Sequence, residues 1–208
     1  MRIAVLIKQV PRAETFRLGA DGRLIRQGVE LEMNAYCRRA ARRGIDLAHS
    51  FDGRCTVFTL GPSTAEDVLR EAIAAGADDG ILISDPAFAG SDTLATAQAL
   101  TAALRLEGPF DLVLVGRNSI DADTGQVGPA VAELLDLPFV CSARTLEIEG
   151  KNLRARCENE KGWCELEVTL PAVVSAAERL CHPVKVPPEE RQQVPPNKIR
   201  YLRAVDLG

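Results

Sequence analysis

Four nearly continuous apolar runs, separated by stretches with helical periodicity, are the feature of this sequence that most constrains its fold. They span residues 2–10, 54–60, 80–84 and 110–115. A run of this kind suits a strand that is buried on both faces, and we expect the first one to be central. Because the intervening stretches are long enough for helical crossovers, the strands should run parallel. The sequence therefore predicts an α/β fold, a doubly wound parallel sheet that binds ligands at the carboxyl ends of its strands.

The predicted helices are amphipathic and carry start signals. Asn34 is expected to cap the first helix, and Ser91 or Asp92 the third. Ser63 and Glu66 are expected to form a capping box on the second. The residues expected to face the core are Cys37, Ala40, Ala41, Ala48, Val68, Leu69, Ala72, Ile73, Leu94, Ala97, Leu100 and Leu104. Four arginines of the first helix are expected to face water: Arg38, Arg39, Arg42 and Arg43.

The segment GRNSIDADTGQVGP, residues 116–129, connects the fourth apolar run to a helical pattern at 130–135. Such a loop directs backbone N–H groups and the positive end of a helix at one point, which suits a phosphate. Thr124 is expected to cap the helix and Pro129 to lie in its first turn. Gly125 and Gly128 would let backbone approach a ligand closely.

An ordinary strand-to-helix connection would also explain the cap and the proline of this segment. It does not explain the density of polar side chains, and the residues alone leave both interpretations open. Neither GxGxxG after the first run nor GxxxxGK[ST] occurs, so a nucleotide would bind in another mode. The polar side chains are Arg117, Asn118, Ser119, Asp121, Asp123 and Gln126.

Composition and chain organisation narrow the class of protein. The 208 residues carry a net charge of -4, which argues against a nucleic-acid partner. Six scattered cysteines without a CxxC motif, and two distant histidines, give no metal-ligand spacing. The N-terminus lacks a secretory cleavage pattern and is too short to span a bilayer, so we expect a cytoplasmic protein without membrane insertion.

The last third of the sequence changes character. Short strands at 140–149, 153–158, 163–170 and 172–176 predict a C-terminal antiparallel hairpin or meander. Residues 1–180 are expected to form a single α/β nucleotide-binding domain. Residues 181–208 are rich in proline and predict an extended arm, which is either a partner-binding segment or a frayed terminus.

Several motifs resemble, in order and over nearly the whole chain, the electron transfer flavoprotein β subunit. They are KQVP at 8–11, GRLIRQG at 22–28, Met33-Asn34, LGP at 60–62, Arg70 with GAD at 76–78, DLVLVG at 111–116, IDADTGQVGP at 120–129 and LPAVV at 170–174. The resemblance implies a fold like that of adenine-nucleotide α-hydrolases. It also implies an electron carrier without catalytic residues, which passes electrons from flavin-dependent dehydrogenases to a downstream acceptor.

The same resemblance implies the cofactors and the partner. An α subunit would carry the redox-active FAD, and the β subunit would hold AMP or a second FAD. KQVP, LIRQG and DADTGQVGP are more similar to the electron-bifurcating type, whose β subunit holds FAD. The residues implied to contact the nucleotide are Leu6, Asn34, Ala35, Tyr36, Cys37, Leu60, Ser119, Ile120, Asp121, Ala122, Asp123, Thr124, Gly125, Gln126, Val127, Gly128, Pro129 and Ala130.

The sequence departs from the family pattern in three places. Asn34-Ala35-Tyr36 stands where the family often has Asn-Pro-Phe, and the arginine-rich helix stands where an acidic one is common. Family members usually continue beyond the position of Gly208 with an arm that embraces the α subunit, and the sequence in hand ends at that residue.

A dehydrogenase-docking loop is implied at residues 177–183, with Leu180 as its anchor and Arg179 and Pro183 beside it. The alternative is a leucine packed back onto the neighbouring strands. Two other functions also compete with electron transfer. One is a stand-alone adenine-nucleotide-binding protein of the same fold without a redox role. The other is an adenylate-transferring enzyme, which should have a pyrophosphate-binding glycine loop where Lys8-Gln9-Val10-Pro11 stands.

Overall fold

The computed structural model describes residues 1–20, 25 and 28–208. The dipeptide Asp21-Gly22 is typical of a tight turn, but it lies outside the described residues, as does most of the GRLIRQG segment. The strands are β1 (Arg2–Leu6), β2 (Gln9–Pro11), β3 (Leu31–Met33), β4 (Arg54–Leu60), β5 (Asp79–Ile83), β6 (Leu112–Gly116), β7 (Phe139–Glu149), β8 (Asn152–Asn159), β9 (Gly162–Thr169), β10 (Ala172–Ala176) and β11 (Ile199–Leu202). The α-helices are α1 (Ala35–Ser50), α2 (Glu66–Ala74), α3 (Thr93–Glu107), α4 (Val127–Leu135) and α5 (Pro188–Gln192).

Within the described chain, one sheet has the strand order β11-β5-β4-β1-β6-β10-β7-β8-β9. It is parallel from β11 to β7 and antiparallel from β7 to β9. The central position of β1 is confirmed, since Ala4 pairs with Thr56 on one side and Val113 on the other. The predicted first run is divided, however, because residues 9–11 pair with β3 in a separate ladder. The chain turns at Lys8, whose carbonyl accepts a hydrogen bond from the Asn34 N–H.

Helices cover both faces of this sheet. Ile3, Val5 and Leu114 belong to a core cluster that includes residues of α1 and α2, whereas Ala4 and Val115 belong to a second cluster with residues of α3 and α4. Side chains of one strand alternate between its two faces, so the continuous apolar runs supply both cores. The predicted doubly wound fold is confirmed.

Helix starts agree with the sequence in part. Asp92 caps α3, with its carboxylate accepting from the Ala95 N–H at 2.8 Å, as predicted. Ser63 instead begins a 3-10 turn, and neither that turn nor α2 has a side-chain cap among the described residues. The predicted Ser63–Glu66 capping box is therefore wrong. The predicted burial of Leu94 is also wrong, since it is 54% exposed.

The arginine-rich face of α1 is less solvated than predicted. Arg38 is only 5% exposed, and its Nε donates to Glu71 Oε1 at 2.8 Å. Arg43 donates to the Leu146 carbonyl. Both arginines point toward other elements of the fold, α2 and β7, so tertiary contacts replace the water that helical periodicity predicts for them.

The C-terminal third contains the predicted antiparallel meander, formed by β7, β8 and β9. β10 differs from the expectation, because it lies between β6 and β7 and runs parallel to both. Residues 188–202 are also more regular than an extended arm. They form α5 and the edge strand β11, which pairs with β5, and they bury Val194 and Ile199.

Candidate functional site

The order in which strands are added to the sheet changes direction between β1 and β6. From β1 the chain proceeds to β4 and β5 on one side, and it crosses to β6 on the other. In an open parallel sheet, the crevice at such a switch point is where ligands bind. The segment that begins there comprises residues 117–126, between β6 and α4, and we call it the switch loop. It is the loop that the sequence singled out.

The first turn of α1 lies directly against the end of β6. A Cβ at Gly116 would come within 2.9 Å of the Cys37 amide nitrogen and 3.0 Å of Tyr36 Cβ. Glycine is therefore required there for packing. This contact brings the start of α1 beside the switch loop, so residues 34–37 and 119–126, which the resemblance implies contact one nucleotide, belong to neighbouring segments.

Asn34 connects the two segments through its side chain. It is fully buried at the N-cap position of α1, yet its side chain makes no capping hydrogen bond within the described chain. Instead, Nδ2 donates to the Asn118 carbonyl at 2.8 Å, and Oδ1 accepts from the Ile120 N–H at 3.1 Å. The expected cap is wrong, because this amide is engaged by the switch loop.

Lys8, which is not among the residues implied to contact the nucleotide, lies at the same edge. Lys8 Nζ is 2.8 Å from Asp121 Oδ1 and 3.3 Å from Ser119 Oγ. The Asp121 side chain has no exposed surface, whereas that of Lys8 is 41% exposed. A buried carboxylate needs an opposite charge to offset its desolvation. Lys8 neutralises an acid of the switch loop, and its position just after the first strand is the signal that could have identified it.

The switch loop passes into α4 without the predicted threonine cap. Gln126 occupies the N-cap position, and Thr124 Oγ1 is 3.5 Å from the Gln126 nitrogen. Gln126 Oε1 accepts from Thr93 Oγ1 at 2.9 Å, which ties the loop to the start of α3. Thr124 as the helix cap is wrong, because α4 begins later in the chain. Pro129 lies in the first turn, as predicted.

The two glycines of this region have different structural reasons. Gly125 has a φ of +63°, and the nearest described atom to a Cβ there would be the Arg117 carbonyl oxygen at 3.6 Å. A Cβ at Gly128 would come within 2.9 Å of Val115 Cγ2. Gly125 therefore allows a left-handed backbone conformation at a position with room for a side chain. Gly128, in contrast, allows α4 to pack closely on β6.

Three more residues that the resemblance implies contact the nucleotide, Leu6, Cys37 and Leu60, are buried or partly buried. Leu6 and Cys37 are 6% exposed, and Leu60 is partly buried against the core. Burial raises the pKa of the Cys37 thiol above its ordinary value. The two most buried residues therefore turn their side chains into the core. Their direct contact with a nucleotide stays a prediction.

A model of the electron transfer flavoprotein domain matches residues 21–200 of the chain. The chain belongs to the electron transfer flavoprotein family. It is 43% identical over 181 residues to an electron transfer flavoprotein subunit beta of Thermoanaerobacterium thermosaccharolyticum, covering 86% of this chain and 69% of that protein. This match confirms the resemblance seen in the motifs.

Two further relatives of this electron transfer flavoprotein chain carry more specific names. It is 40% identical to the protein FixA of Azotobacter vinelandii, covering 86% of this chain and 66% of FixA. It is 37% identical to the caffeyl-CoA reductase–Etf complex subunit CarD of Acetobacterium woodii, covering 88% of this chain and 71% of CarD.

A polar cluster in the electron transfer flavoprotein chain connects the switch loop to the segment after β10. The Tyr36 hydroxyl donates to Glu178 Oε1 at 2.7 Å, and Arg117 Nη1 is 3.2 Å from the same oxygen. The hydrogen bond from Tyr36 and the charge of Arg117 lower the pKa of Glu178. Burial and the bond to Glu178 raise the pKa of Tyr36. Tyr36, predicted to contact the nucleotide, is engaged with the start of the predicted docking loop.

The docking loop itself presents its residues unequally. Leu180 is partly buried and packs against the core cluster on the α1 face of the sheet. Arg179 and Pro183 are exposed. Cys181 Sγ donates to the Arg39 carbonyl at 3.3 Å, which holds this segment on α1. The arrangement gives Leu180 a packing contact and leaves its role in docking a prediction.

The described ranges 1–20, 25 and 28–208 lack two features that would suggest other functions. These residues contain no group of three or more histidine, cysteine or acidic side chains placed to hold a metal ion. Nor does any helix among them have the length and apolar composition to cross a membrane.

Proposed function

We propose that this chain is the β subunit of a heterodimeric electron transfer flavoprotein and binds an adenine nucleotide above β1 and β6. The observation that carries the proposal is the switch loop. It leaves the carboxyl end of β6 at the switch point, is attached to the start of α1 by Asn34, and leads into the N-terminus of α4. Unpaired N–H groups and the dipole at a helix N-terminus attract a phosphate.

The charges of the loop are compatible with an anionic ligand. Asp121 would repel a phosphate if its carboxylate faced the crevice, but it is buried and paired with Lys8. Arg117 adds a guanidinium at the start of the loop that is 45% exposed. We therefore assign the phosphate to the backbone between Thr124 and Gly128.

In this proposal the chain carries electrons and catalyses no reaction of its own. The redox-active FAD is held mainly with the α subunit, and it supplies the electron-accepting chemistry when bound. The nucleotide of the β subunit is AMP in a simple carrier or a second FAD in a bifurcating complex. Arg179, Leu180 and Pro183 would contact a flavin-dependent dehydrogenase. The cytoplasmic location stays a prediction.

The test is to co-express the chain with its α subunit, purify the complex, denature it, and quantify the released nucleotides. One FAD plus one AMP per heterodimer would identify a simple carrier, and two FAD would identify the bifurcating type. Release of FAD alone at one per heterodimer would contradict nucleotide binding by this chain. A chain that retains nucleotide but never co-purifies with the α subunit would instead support the stand-alone binding protein.

A further inference from the structure

The Asn34 side chain is placed unusually for a residue at the start of a helix. Asparagine at an N-cap position ordinarily uses its oxygen to accept from the first N–H groups of the helix. Here the same oxygen accepts from Ile120, and the nitrogen donates to the Asn118 carbonyl. The same nitrogen lies 3.3 Å from Cys37 Sγ. The amide of a fully buried side chain is thus committed to a loop 84 residues away in sequence.

We infer that Asn34 is a positioning residue, whose buried amide holds residues 118–120 in the shape that the nucleotide requires without itself contacting the nucleotide. This inference rests on the proposed function and assigns Asn34 a role different from the direct contact that the family resemblance implies. Its side chain has no exposed surface from which to reach a ligand.

The geometry requires an amide at this position. The Ile120 N–H needs an acceptor and the Asn118 carbonyl needs a donor, and both partners must lie on one short side chain. Asparagine carries one of each, whereas an ionised aspartate carries only acceptors. Both hydrogen bonds are partly buried, so a loop group that loses its partner there is less well satisfied and favours another loop conformation.

The hydrogen bonds of Asn34 should order the switch loop before the ligand binds. Lys8 contacts Ser119 and Asp121 of the same loop through its ammonium group. The Lys8 carbonyl also accepts from the Asn34 N–H at 2.9 Å. The end of β1, the start of α1 and the switch loop are therefore connected. A loop that is already ordered lowers the entropic cost of binding.

The decisive variant is Asn34→Asp, which changes one NH₂ into oxygen and keeps the shape. As a carboxylate it opposes the Asn118 carbonyl, but when protonated its O–H donates there and the other oxygen still accepts from Ile120. We expect its Kd for AMP or FAD to exceed that of the wild type by roughly tenfold to a hundredfold at pH 8.5. The ratio of the two Kd values should fall toward one as the pH is lowered to 5.

The measurement is a titration of AMP, and separately of FAD, into nucleotide-stripped complex of this chain and its α subunit. Neighbouring titratable groups are the Cys37 thiol, the Lys8 ammonium and the Asp121 carboxylate, and burial keeps the Cys37 thiol neutral by raising its pKa. Both proteins contain these groups, so the ratio of Kd values isolates the effect of the substitution. Asn197→Asp makes the same change at an exposed position and should leave the ratio at one throughout.

A second measurement needs no ligand. Exchange of the Ile120 amide hydrogen should be faster in Asn34→Ala, which removes its acceptor, and close to that of the wild type in Asn34→Asp at pH 5, where the protonated side chain makes both hydrogen bonds. Equal nucleotide affinity of Asn34→Asp and wild type at every pH would overturn the inference, and so would a loss that does not depend on pH. If the wild type binds neither nucleotide, the proposed function fails. In that case, unchanged Ile120 exchange in Asn34→Ala would also contradict the role of Asn34 in ordering the loop, and faster exchange would support that role.

Discussion

The switch loop and the C-terminal segment at residues 184–202 are both polar and irregular in sequence, yet the fold holds them in different ways. The switch loop is attached by short polar contacts, from the Asn34 amide and the Lys8 ammonium. The C-terminal segment is attached by an edge strand, β11, and by Arg191, which contacts Asp67 at 2.6 Å and Glu71 at 3.1 Å.

This difference bears on function. The loop's contacts fix a few backbone groups and leave open space at Gly125, as a binding loop requires. In the C-terminal segment, Arg191 reaches a buried carboxylate, Glu71, which also pairs with Arg38. Polar composition alone therefore does not separate a binding loop from a docked structural segment. The two segments differ in how the fold holds them, the switch loop by side-chain contacts and the C-terminal segment by a strand ladder together with ion pairs.

The largest expected effect is on the C-terminal segment, from Glu71→Ala. Glu71 is 1% exposed between Arg38 and Arg191, so its removal leaves two cations without their shared partner. We expect a loss of about 3–5 kcal/mol in the free energy of unfolding, measured by urea denaturation. Asp67→Ala is the matched control, since its side chain is 47% exposed and the pair should contribute about 1 kcal/mol or less. Equal losses in the two variants would contradict a buried network.

The next effect is on the switch loop, from Gly125→Val. A branched side chain at a φ of +63° should strain the loop by roughly 1–3 kcal/mol and should block the backbone's approach to a phosphate. We expect loss of most of the adenine nucleotide released per mole of denatured complex. Full nucleotide occupancy would place the ligand elsewhere and leave residues 116–129 as an ordinary connection.

Two variants sharpen that result. Thr124→Ala should retain the nucleotide and cost less than the ~1 kcal/mol of a true helix cap, because α4 begins beyond Thr124. Gly128→Ala should lower stability by about 1–3 kcal/mol through overlap with Val115, whether or not nucleotide is present.

A smaller effect is expected for Leu180→Ala, in the segment that precedes the C-terminal region. Because Leu180 packs partly against the core, we expect a loss of about 1–2 kcal/mol in stability, below the about 2–5 kcal/mol of a fully buried leucine. Electron transfer from the partner dehydrogenase should also slow if Leu180 anchors docking. Arg179→Ala, at an exposed neighbour, should slow transfer without changing the melting temperature. A normal transfer rate in both variants would contradict the docking loop.

The smallest effect is expected for Tyr36→Phe, which tests the contact between the start of α1, beside the switch loop, and Glu178 of the docking loop. The Tyr36 hydroxyl lowers the pKa of Glu178 in the folded protein. A depressed carboxyl pKa stabilises the fold above the unfolded-state pKa, and this contribution disappears as the pH falls through the folded-state pKa. Tyr36→Phe should therefore be slightly less stable than the wild type at pH 7 and equal to it in acid. Thermal unfolding of both proteins between pH 7 and 3 checks this, and a pH-independent difference would contradict it.

Local pattern was sufficient for the main architecture of this protein. The apolar runs predict parallel strands with two buried faces, and the continuity of the first run predicts that β1 is central. The helix cap at Asp92 also follows from a short stretch of sequence. The site edge was also predictable, because parallel strands bring their carboxyl ends together whichever side chains they carry. The family followed from motifs whose order along the chain is visible without a structure.

Contacts between distant parts of the chain required the tertiary structure. The sequence predicts a solvated Arg38 on α1, but α2 places Glu71 beside it. It also predicts that Asn34 caps a helix, but the loop that follows β6 engages its side chain. Likewise, β10 reads as part of a meander, but it pairs between β6 and β7. Helical and strand periodicity depends on neighbours a few residues apart. The partners of the two side-chain contacts lie 33 and 84 residues apart, so only the packing of the whole fold brings them together.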